Sequence, residues 1–305
     1  MSWFDIQVNG YGGIDFNQDD LSAEQLHQAC RLVAEQGGGG ILATIITELP
    51  DRMESRIRRL VALRAADPLA GKIIAGIHVE GPFLSAEPGY RGAHPGEAIG
   101  PASEILAGRL LDAADGLLRI FTLAPEQDAA NRVTRLLTEA GVVVSAGHTN
   151  ASLDQLRAAI DAGLKMFTHL GNGCPGILPR HDNIIQRALF LRRQLCLCFI
   201  ADGIHIPFPM LRNYLDLARD AAGCVVTTDA NAAAGYGPGS HRIGRWEIEV
   251  GEDLAVWAPD RSHLLASAVP MPMVKGFLSR HVGLDEETIR QLTEVSPRAA
   301  IGLVD

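Results

Sequence analysis

The sequence predicts an α/β fold, namely a single (β/α)8 TIM barrel, and three observations support this prediction. Eight short apolar runs recur along the 305 residues, most are followed by a charged amphipathic stretch, and most end near a polar side chain. Strands that alternate with helices favour a parallel sheet, and eight such units close it into a barrel. The hydrophobic fraction of 47% is sufficient for the large core that this fold requires.

The eight runs are rich in Val, Ile and Leu, as is typical of strands that are covered on both faces. They span residues 5–8, 41–46, 73–79, 117–123, 142–145, 165–168, 197–200 and 224–227. The stretches between them, such as AEQLHQACRLVAEQ and NRVTRLLTEAG, have the pattern of surface helices, and glycines 37–40 suit the end of the first helix and the entry to the second strand. A doubly wound open sheet is the alternative, but no glycine-rich phosphate-binding loop follows the first run.

Composition and charge argue against several classes of partner. The net charge is −9 and the Lys and Arg residues form no cluster, which argues against nucleic acid. No apolar run approaches the roughly 20 residues of a membrane span, and the start of the chain lacks a secretory signal. The five cysteines have no regular spacing, which fits a reducing cytoplasm better than a disulfide framework. We therefore expect a cytoplasmic protein without membrane or nucleic-acid partners.

Polar side chains follow several of the apolar runs, at the ends where parallel strands would meet. The carboxyl ends of barrel strands converge on one face, which carries the active site in enzymes with this fold. Two imidazoles and a carboxylate, from His148, His169 and Glu80, would make a three-ligand metal site with an open position. Each such residue alone is often a cap or a loop hydrogen-bonder, but their joint occurrence favours a site. The residues are Gln7, Asn9, Glu80, His148, His169, Asp202, His205 and Asp229, with His94 in the loop after the third strand.

These residues lie in motifs that resemble one enzyme family. The motifs are DIQVNGYGGIDF, GIHVEGPFLS, RGAHP, SAGHTNAS, FTHLGNG, ADGIHI and VTTDANAAAG, with a weaker match through LLASAV and SPRAAIGL. In this order they resemble the N-acetylglucosamine-6-phosphate deacetylases of the amidohydrolase superfamily. The resemblance implies a metal-dependent amidohydrolase barrel that removes the acetyl group from an N-acetyl amino sugar, either N-acetylglucosamine 6-phosphate or a close relative.

The resemblance also implies a metal site. By it, Glu80, His148 and His169 are the ligands of one divalent ion, with zinc favoured and ferrous iron as the alternative. Gln7 and Asn9 stand beside the metal pocket, where many amidohydrolases carry a His-x-His pair. Amides are weaker ligands than imidazole or carboxylate, so one metal ion is expected rather than two.

The other matched residues are expected to act on the substrate. Asp229 corresponds to the catalytic acid/base, His94 and His205 to residues that contact the substrate and its acyl group, and Asn172 and Arg180 to positions that bind the sugar phosphate. A homodimer, with Arg180 acting across its interface, is the expected assembly. In the implied reaction the metal ion lowers the pKa of bound water, Asp229 takes the proton, and the hydroxide attacks the amide carbonyl. The metal and His94 stabilise the oxyanion, and Asp229 protonates the leaving amine, which yields acetate and an amino sugar.

The chain departs from the family pattern in three places. Family members begin and end in a small β-sandwich, whereas the first predicted strand here starts at Asp5 and the chain stops after its last helix. We therefore expect residues 1–305 to form a bare barrel without a sandwich, its lower rim covered by short helices, by a partner subunit or not at all. The family's THLFNAM stands here as THLGNGC, and residues 179–183 replace an Arg-Glu-Pro-Gly run. Both changes replace residues expected at the phosphate site, so an unphosphorylated or differently configured N-acyl amino sugar is the alternative substrate.

The segment 231–263 is long for a barrel loop. It contains GYGPGSHRIG followed by the strand-like RWEIEVGEDLAVWA, which predicts a β-hairpin insertion at about 236–258. A lid over the active site and a surface for dimer packing are equally good interpretations of such a hairpin.

Two rival functions have weaker support. Hydrolysis of a cyclic amide or a dipeptide usually needs a bridged metal pair, which Gln7 and Asn9 in the first motif disfavour. A non-catalytic sugar-binding relative would be expected to have lost a ligand or Asp229, and all of these residues are present.

Overall fold

The computed structural model describes residues 2–243, 246–257 and 264–303, and for residues 243 and 246 the backbone only. Eight parallel strands form one sheet in chain order, and they overlap all eight predicted runs. The barrel prediction is therefore confirmed. The strands are β1 Trp3–Val8, β2 Gly38–Ile46, β3 Ile74–Glu80, β4 Leu118–Leu123, β5 Val143–Ala146, β6 Met166–Phe167, β7 Cys196–Ile200 and β8 Gly223–Thr227.

The first and last strands meet just beyond the end of β8. The backbone N–H of Asn9 donates to the carbonyl oxygen of Ala230 at 2.7 Å, and Val8 forms a parallel bridge with Ala230. Within the seam, the buried carboxylate of Asp5 accepts hydrogen bonds from the hydroxyl and the backbone N–H of Thr228 at 2.6 and 3.1 Å. The side chain of Asp5 on β1 therefore links the two edge strands of the sheet, between which few backbone hydrogen bonds form.

Helices cover the outside of the barrel between the strands. Ser22 and Gln25 form a reciprocal capping box at the start of the first helix, and the spacing of its buried residues is that of one helical face. Among the described residues, no helix is long and apolar enough to cross a bilayer. The helices are α1 Ala23–Glu35, α2 Pro50–Ala66, α3 Pro68–Ile73, α4 Glu104–Ala113, α5 Arg132–Glu139, α6 Leu153–Asp161, α7 Ile184–Phe190, α8 Phe208–Leu217, α9 Met271–Phe277, α10 Glu286–Arg290 and α11 Ser296–Ala300.

The amino-terminal end of the barrel is packed by apolar side chains. An apolar cluster is built around strand residues such as Phe4, Leu42 and Ile120, and Ile301 belongs to it. Leu303 packs against the same cluster, and the Arg298 guanidinium lies 4.9 Å from the centre of the Phe4 ring. The short helix α11 and the residues after it therefore cover apolar surface at this lower rim.

A β-hairpin lies within the segment that the sequence marks as an insertion. β9 Gly239–Ile243 pairs antiparallel with β10 Trp246–Val250, while residues 244–245 and 258 lie outside the described residues. Ile248 and Val250 of the hairpin pack with Ala233 and Leu265 in a separate apolar cluster, which Ala93 contacts. The hairpin thus packs on loops at the carboxyl end of the barrel.

Candidate active site

Glu80, His148 and His169 meet at the carboxyl-terminal end of the barrel. Glu80 is the last residue of β3, while the two histidines lie just beyond β5 and β6. Glu80 Oε1 lies 3.1 Å from His148 Nε2 and 2.9 Å from His169 Nε2, and the two Nε2 atoms are 3.1 Å apart. All three side chains are buried, and together they form a cluster that could hold a metal ion.

The chemistry of this cluster fits a divalent ion. His148 Nδ1 lies 2.8 Å from the carbonyl oxygen of Tyr90, which can only accept, so Nδ1 carries the proton. With the proton on Nδ1, Nε2 can offer a lone pair toward Glu80 Oε1, as in an imidazole that binds a metal ion through Nε2. Tetrahedral ligand atoms around zinc are about 3.3 Å apart, which is close to the spacing of these three atoms.

The backbone is strained at three of the predicted site residues. His148, His169 and Asp229 have φ values of 50°, 33° and 52°. This left-handed region costs a residue with a Cβ atom roughly 1–2 kcal/mol, and such outliers cluster at functional sites. Each of the three lies just beyond its strand end, so the turn aims the side chain across the top of the barrel.

Gln7 and Asn9 orient the two carboxylates of the site. Gln7 Nε2 donates to Glu80 Oε2 at 3.2 Å, and Asn9 Nδ2 donates to Asp229 Oδ1 at 2.7 Å. Both amides are buried. Glu80 is thereby left with Oε1 toward the imidazoles, and Asp229 is left with Oδ2.

Burial and mutual charge shift the pKa values in this cluster. Burial opposes the charged form of Glu80, but the hydrogen bonds and charges of His148 and His169 outweigh it and hold the pKa of Glu80 well below its ordinary value. Burial also opposes a cationic His169, yet the hydrogen bond and charge of Glu80 raise its pKa. For Asp229, burial and then the charge of Glu80 raise the pKa, which suits a group that takes up and returns a proton.

The neutral ring of His94 lies against the cluster of Glu80, His148 and His169. Its Nε2 is 3.2 Å from His148 Nε2, and the two rings meet edge-on with centroids 4.4 Å apart. Burial, followed by the charge of His148, lowers the pKa of His94 to about 3. The buried Nδ1 has no hydrogen-bond partner among the described protein groups, so His94 retains an unused polar atom at the site.

One cavity of about 210 Å³ joins these groups. This volume suits a small molecule rather than a macromolecule. A larger groove of about 800 Å³ lies beside the first residues of β7 and β8, at the other end of the barrel, and contains none of the predicted site residues. The smaller cavity is lined by Asn9, Glu80, His94, His148, His169, Asn172, His205 and Asp229, together with Gly171, Gly173 and Cys174.

The loop that carries Arg180 lies outside this cavity. Arg180 is exposed and is not among the cavity-lining residues. His181 and Asp182 are also exposed, and Asp182 accepts a hydrogen bond from Arg187 Nε at 2.6 Å. The structure therefore brings together the predicted metal ligands, Asp229 and most substrate contacts, but not Arg180.

The sequence interpretation assigned no role in the site to residues 264–267. Residues 264–266 line the cavity, and the hydroxyl of Ser267, which follows them, donates to Asp202. Asp202 stands at a strand end and was visible as a polar residue there, whereas the only signal for Ser267 is the weak LLASAV match.

A parallel barrel with a buried Glu/His/His cluster at its strand ends and an aspartate after the last strand is the arrangement of an amidohydrolase-type TIM barrel. The N-acetylglucosamine-6-phosphate deacetylase of Bos taurus is 31% identical over 316 residues, which cover 99% of this chain and 74% of that protein. The chain belongs to the N-acetylglucosamine-6-phosphate deacetylase family.

Other comparisons agree with this assignment. A solved structure of N-acetyl-D-glucosamine-6-phosphate deacetylase from Mycobacterium smegmatis, a mutant in complex with N-acetyl-D-glucosamine-6-phosphate, has a TM-score of 0.88 at 30% identity and covers 99% of this chain and 77% of that chain. The N-acetylgalactosamine-6-phosphate deacetylase of Escherichia coli O157:H7 is 29% identical over 82% of this chain and 64% of that protein. No protein-family model matches the sequence.

Proposed function

We propose that this chain removes the acetyl group from an N-acetyl amino sugar, with N-acetylglucosamine 6-phosphate or a close relative as the substrate. The observation that carries the proposal is the presence of Glu80, His148, His169 and Asp229 in the lining of one small cavity. A metal-binding cluster alone fits many reactions, whereas a carboxyl beside it that can transfer protons fits amide hydrolysis. A cytoplasmic location is part of the proposal, supported by five free cysteines.

Glu80 Oε1 and the Nε2 atoms of His148 and His169 would hold one divalent ion, with zinc as the first choice and ferrous iron as the second. When bound, the ion supplies the Lewis acidity that activates water and polarises the amide carbonyl. Because Gln7 occupies Oε2 of Glu80, this carboxylate offers the ion one oxygen. The two amides of the first motif add no strong ligand, which supports one ion per chain.

Asp229 would move the proton in both directions. Asn9 holds Oδ1, so Oδ2 is available to accept a proton from the attacking water and to return it to the leaving nitrogen. The raised pKa of Asp229 favours the protonated intermediate form that the second transfer needs. His94, neutral and close to the metal cluster, would donate to the carbonyl oxygen as charge develops there.

Acetate release from a panel of sugars tests the proposal. The metal-loaded chain should be assayed with N-acetylglucosamine 6-phosphate, N-acetylgalactosamine 6-phosphate and their unphosphorylated forms. We expect the highest kcat/KM for one of the phosphorylated sugars. A preference for an unphosphorylated sugar would remove phosphate recognition from the proposal, and no acetate release from any of them by a metal-loaded chain would reject it.

We also propose a homodimer in which Arg180 binds the phosphate of the substrate held by the neighbouring subunit. Arg180 is exposed on its own chain, and no Lys or Arg lies among the described residues that line the cavity. A phosphorylated sugar would therefore need a cationic side chain from elsewhere, and a guanidinium matches phosphate geometry well.

Replacing Arg180 with Ala is expected to raise KM for the phosphorylated sugar about tenfold or more, with a smaller effect on kcat, because a charge-assisted contact is lost. Arg193→Ala is the matched control, since Arg193 is 75% exposed and pairs with Asp220 away from the cavity. Mixed dimers of Arg180→Ala and Asp229→Asn subunits should regain activity, because one of their two sites is complete. No recovery after verified subunit exchange would contradict the cross-subunit role.

Metal affinity is expected to fall as the pH is lowered. In the metal-free chain the pKa of His169 lies above its ordinary value of 6.5, so a bound proton competes with the ion at a higher pH than for a free imidazole. The affinity should therefore be fully expressed only above that raised pKa. Competition with a chelator at several pH values measures this, with the exposed His27→Ala variant as control. An affinity that does not change below neutral pH would contradict the expectation.

A further inference from the structure

Asp202 and His205 follow β7 and form an acid–imidazole pair outside the metal cluster. Asp202 Oδ2 lies 2.6 Å from His205 Nδ1, while Oδ1 accepts the backbone N–H groups of Ile204 and His205 at 2.9 and 2.8 Å. The side chain of Asp202 is only 1% exposed. Burial opposes its charged form, but the hydrogen bond and charge of His205 outweigh burial and lower the pKa of Asp202.

The pair fixes which ring nitrogen of His205 faces a ligand. A carboxylate can only accept, so Nδ1 of His205 carries a proton toward Asp202. His205 lines the cavity, and with Nδ1 engaged, Nε2 is the ring atom left to contact a bound molecule.

Ser267 joins this pair to the segment that carries Asp229. Its hydroxyl donates to Asp202 Oδ2 at 2.9 Å, and its backbone N–H donates to the carbonyl oxygen of Asp229 at 2.8 Å. Ser267 is itself buried. The carboxylate of Asp202 therefore has donors on both oxygens, from two different loops of the barrel.

The cavity offers an anionic ligand few positively charged groups. Its described lining contains no Lys or Arg, and His94, His148 and His169 contact one another at the metal end. His205 also lines the cavity, and the buried carboxylate of Asp202 engages its Nδ1. Such a partner keeps a proton on Nδ1 and fixes the orientation of the ring, so that Nε2 can be offered to a polar group of the ligand.

We infer that Asp202 is a positioning residue that acts through His205. It orients the His205 ring so that Nε2 faces the substrate, and the hydroxyl of Ser267 holds Asp202 in place. The inference rests on the proposed function, because it assigns an anionic sugar derivative to the same cavity. It concerns the binding of that ligand rather than the proton transfer at Asp229.

A double-mutant cycle on ligand binding tests this inference. Glucosamine 6-phosphate and glucosamine should be titrated calorimetrically into the zinc-loaded chain and into Asp202→Asn, His205→Ala and the double variant. We expect Asp202→Asn to raise Kd for glucosamine 6-phosphate about tenfold and to change Kd less than about twofold once His205 is absent. Losses that multiply in the double variant would overturn the inference.

Asp128→Asn is the matched control for the loss of a buried carboxylate. Asp128 is buried and accepts the backbone N–H groups of Val133 and Thr134 at the start of α5, away from the cavity. We expect this variant to lower stability without changing Kd for either ligand. An equal rise in Kd in Asp128→Asn would show a general structural effect and would overturn the positioning role.

The protonation of His205 provides a readout that needs no substrate. In the zinc-loaded chain labelled with ¹⁵N-histidine, the signal that is lost in His205→Ala should show a proton on Nδ1, and Asp202→Asn should weaken that preference. A neutral ring protonated only on Nε2 would overturn the inference. A proton on Nδ1 in a chain that deacetylates none of the sugars would support the pair and count against the proposed function alone.

Discussion

Replacing Asp229 with Asn is expected to lower kcat for deacetylation by about two to four orders of magnitude, the range for a lost general acid and base. Asn keeps the shape of the side chain but neither accepts a proton from water nor returns one to the amine. Asp229 is half-buried in the cavity lining, and Asn9 holds one of its oxygens at 2.7 Å. Its loss should therefore act on turnover more than on substrate binding. Steady-state rates of acetate release measure the effect.

The metal content of Asp229→Asn should stay at that of the unchanged chain, because the three proposed ligands are other residues. Asp216→Asn is a suitable control, since Asp216 is exposed, pairs with Arg212 at 2.8 Å and lies outside the cavity lining. Turnover close to that of the unchanged chain in a folded, metal-loaded Asp229→Asn variant would contradict its role as the proton carrier.

Replacing Glu80 with Gln is expected to abolish stoichiometric metal binding and, with it, detectable deacetylation. The amide keeps the size of the side chain but is a much weaker ligand than the carboxylate, and only two imidazoles then remain. Glu80 is fully engaged in the site, with Oε1 facing both histidines and Oε2 held by Gln7. Metal analysis after dialysis and acetate release at added metal measure the two effects.

Glu294→Gln is the matched control for Glu80→Gln. Glu294 is also buried, and it pairs with Lys275 at 2.9 Å outside the cavity lining. We expect this control to lose stability, since it leaves the half-buried ammonium of Lys275 without its charged partner, but to retain its metal ion. Full metal occupancy in Glu80→Gln would remove Glu80 from the ligand set.

The strands were predictable because their two faces are buried, but the start of β2 was not. β2 begins at Gly38, three residues before the apolar run that marks it, because glycines extend the strand under two aromatic rings. A Cβ atom at Gly38 would lie 2.8 Å from the Trp3 ring, and one at Gly40 would lie 2.7 Å from the Phe4 ring. Glycine runs normally indicate turns, so only the neighbouring strand reveals that these glycines belong to a sheet.

The cluster of proposed metal ligands was predictable from residue types at strand ends, whereas the hydrogen bonds around it were not. Glu80, His148 and His169 each follow a buried strand, so convergence of the barrel ends is enough to bring them together. The bond between Ser267 and Asp202 joins residues 65 positions apart and has no local pattern. In the proposed dimer, the position of Arg180 relative to a bound phosphate would depend on a second chain, and no property of a single sequence fixes that distance.

The left-handed backbone at His148, His169 and Asp229 has an evolutionary consequence. Each of these positions would be relieved of roughly 1–2 kcal/mol by glycine, which accepts φ values of 33–52° without penalty. The packing of these side chains and the demands of chemistry both oppose this relief, and only packing would remain in a descendant that had lost hydrolysis. These three positions should then be among the first to accept other residues.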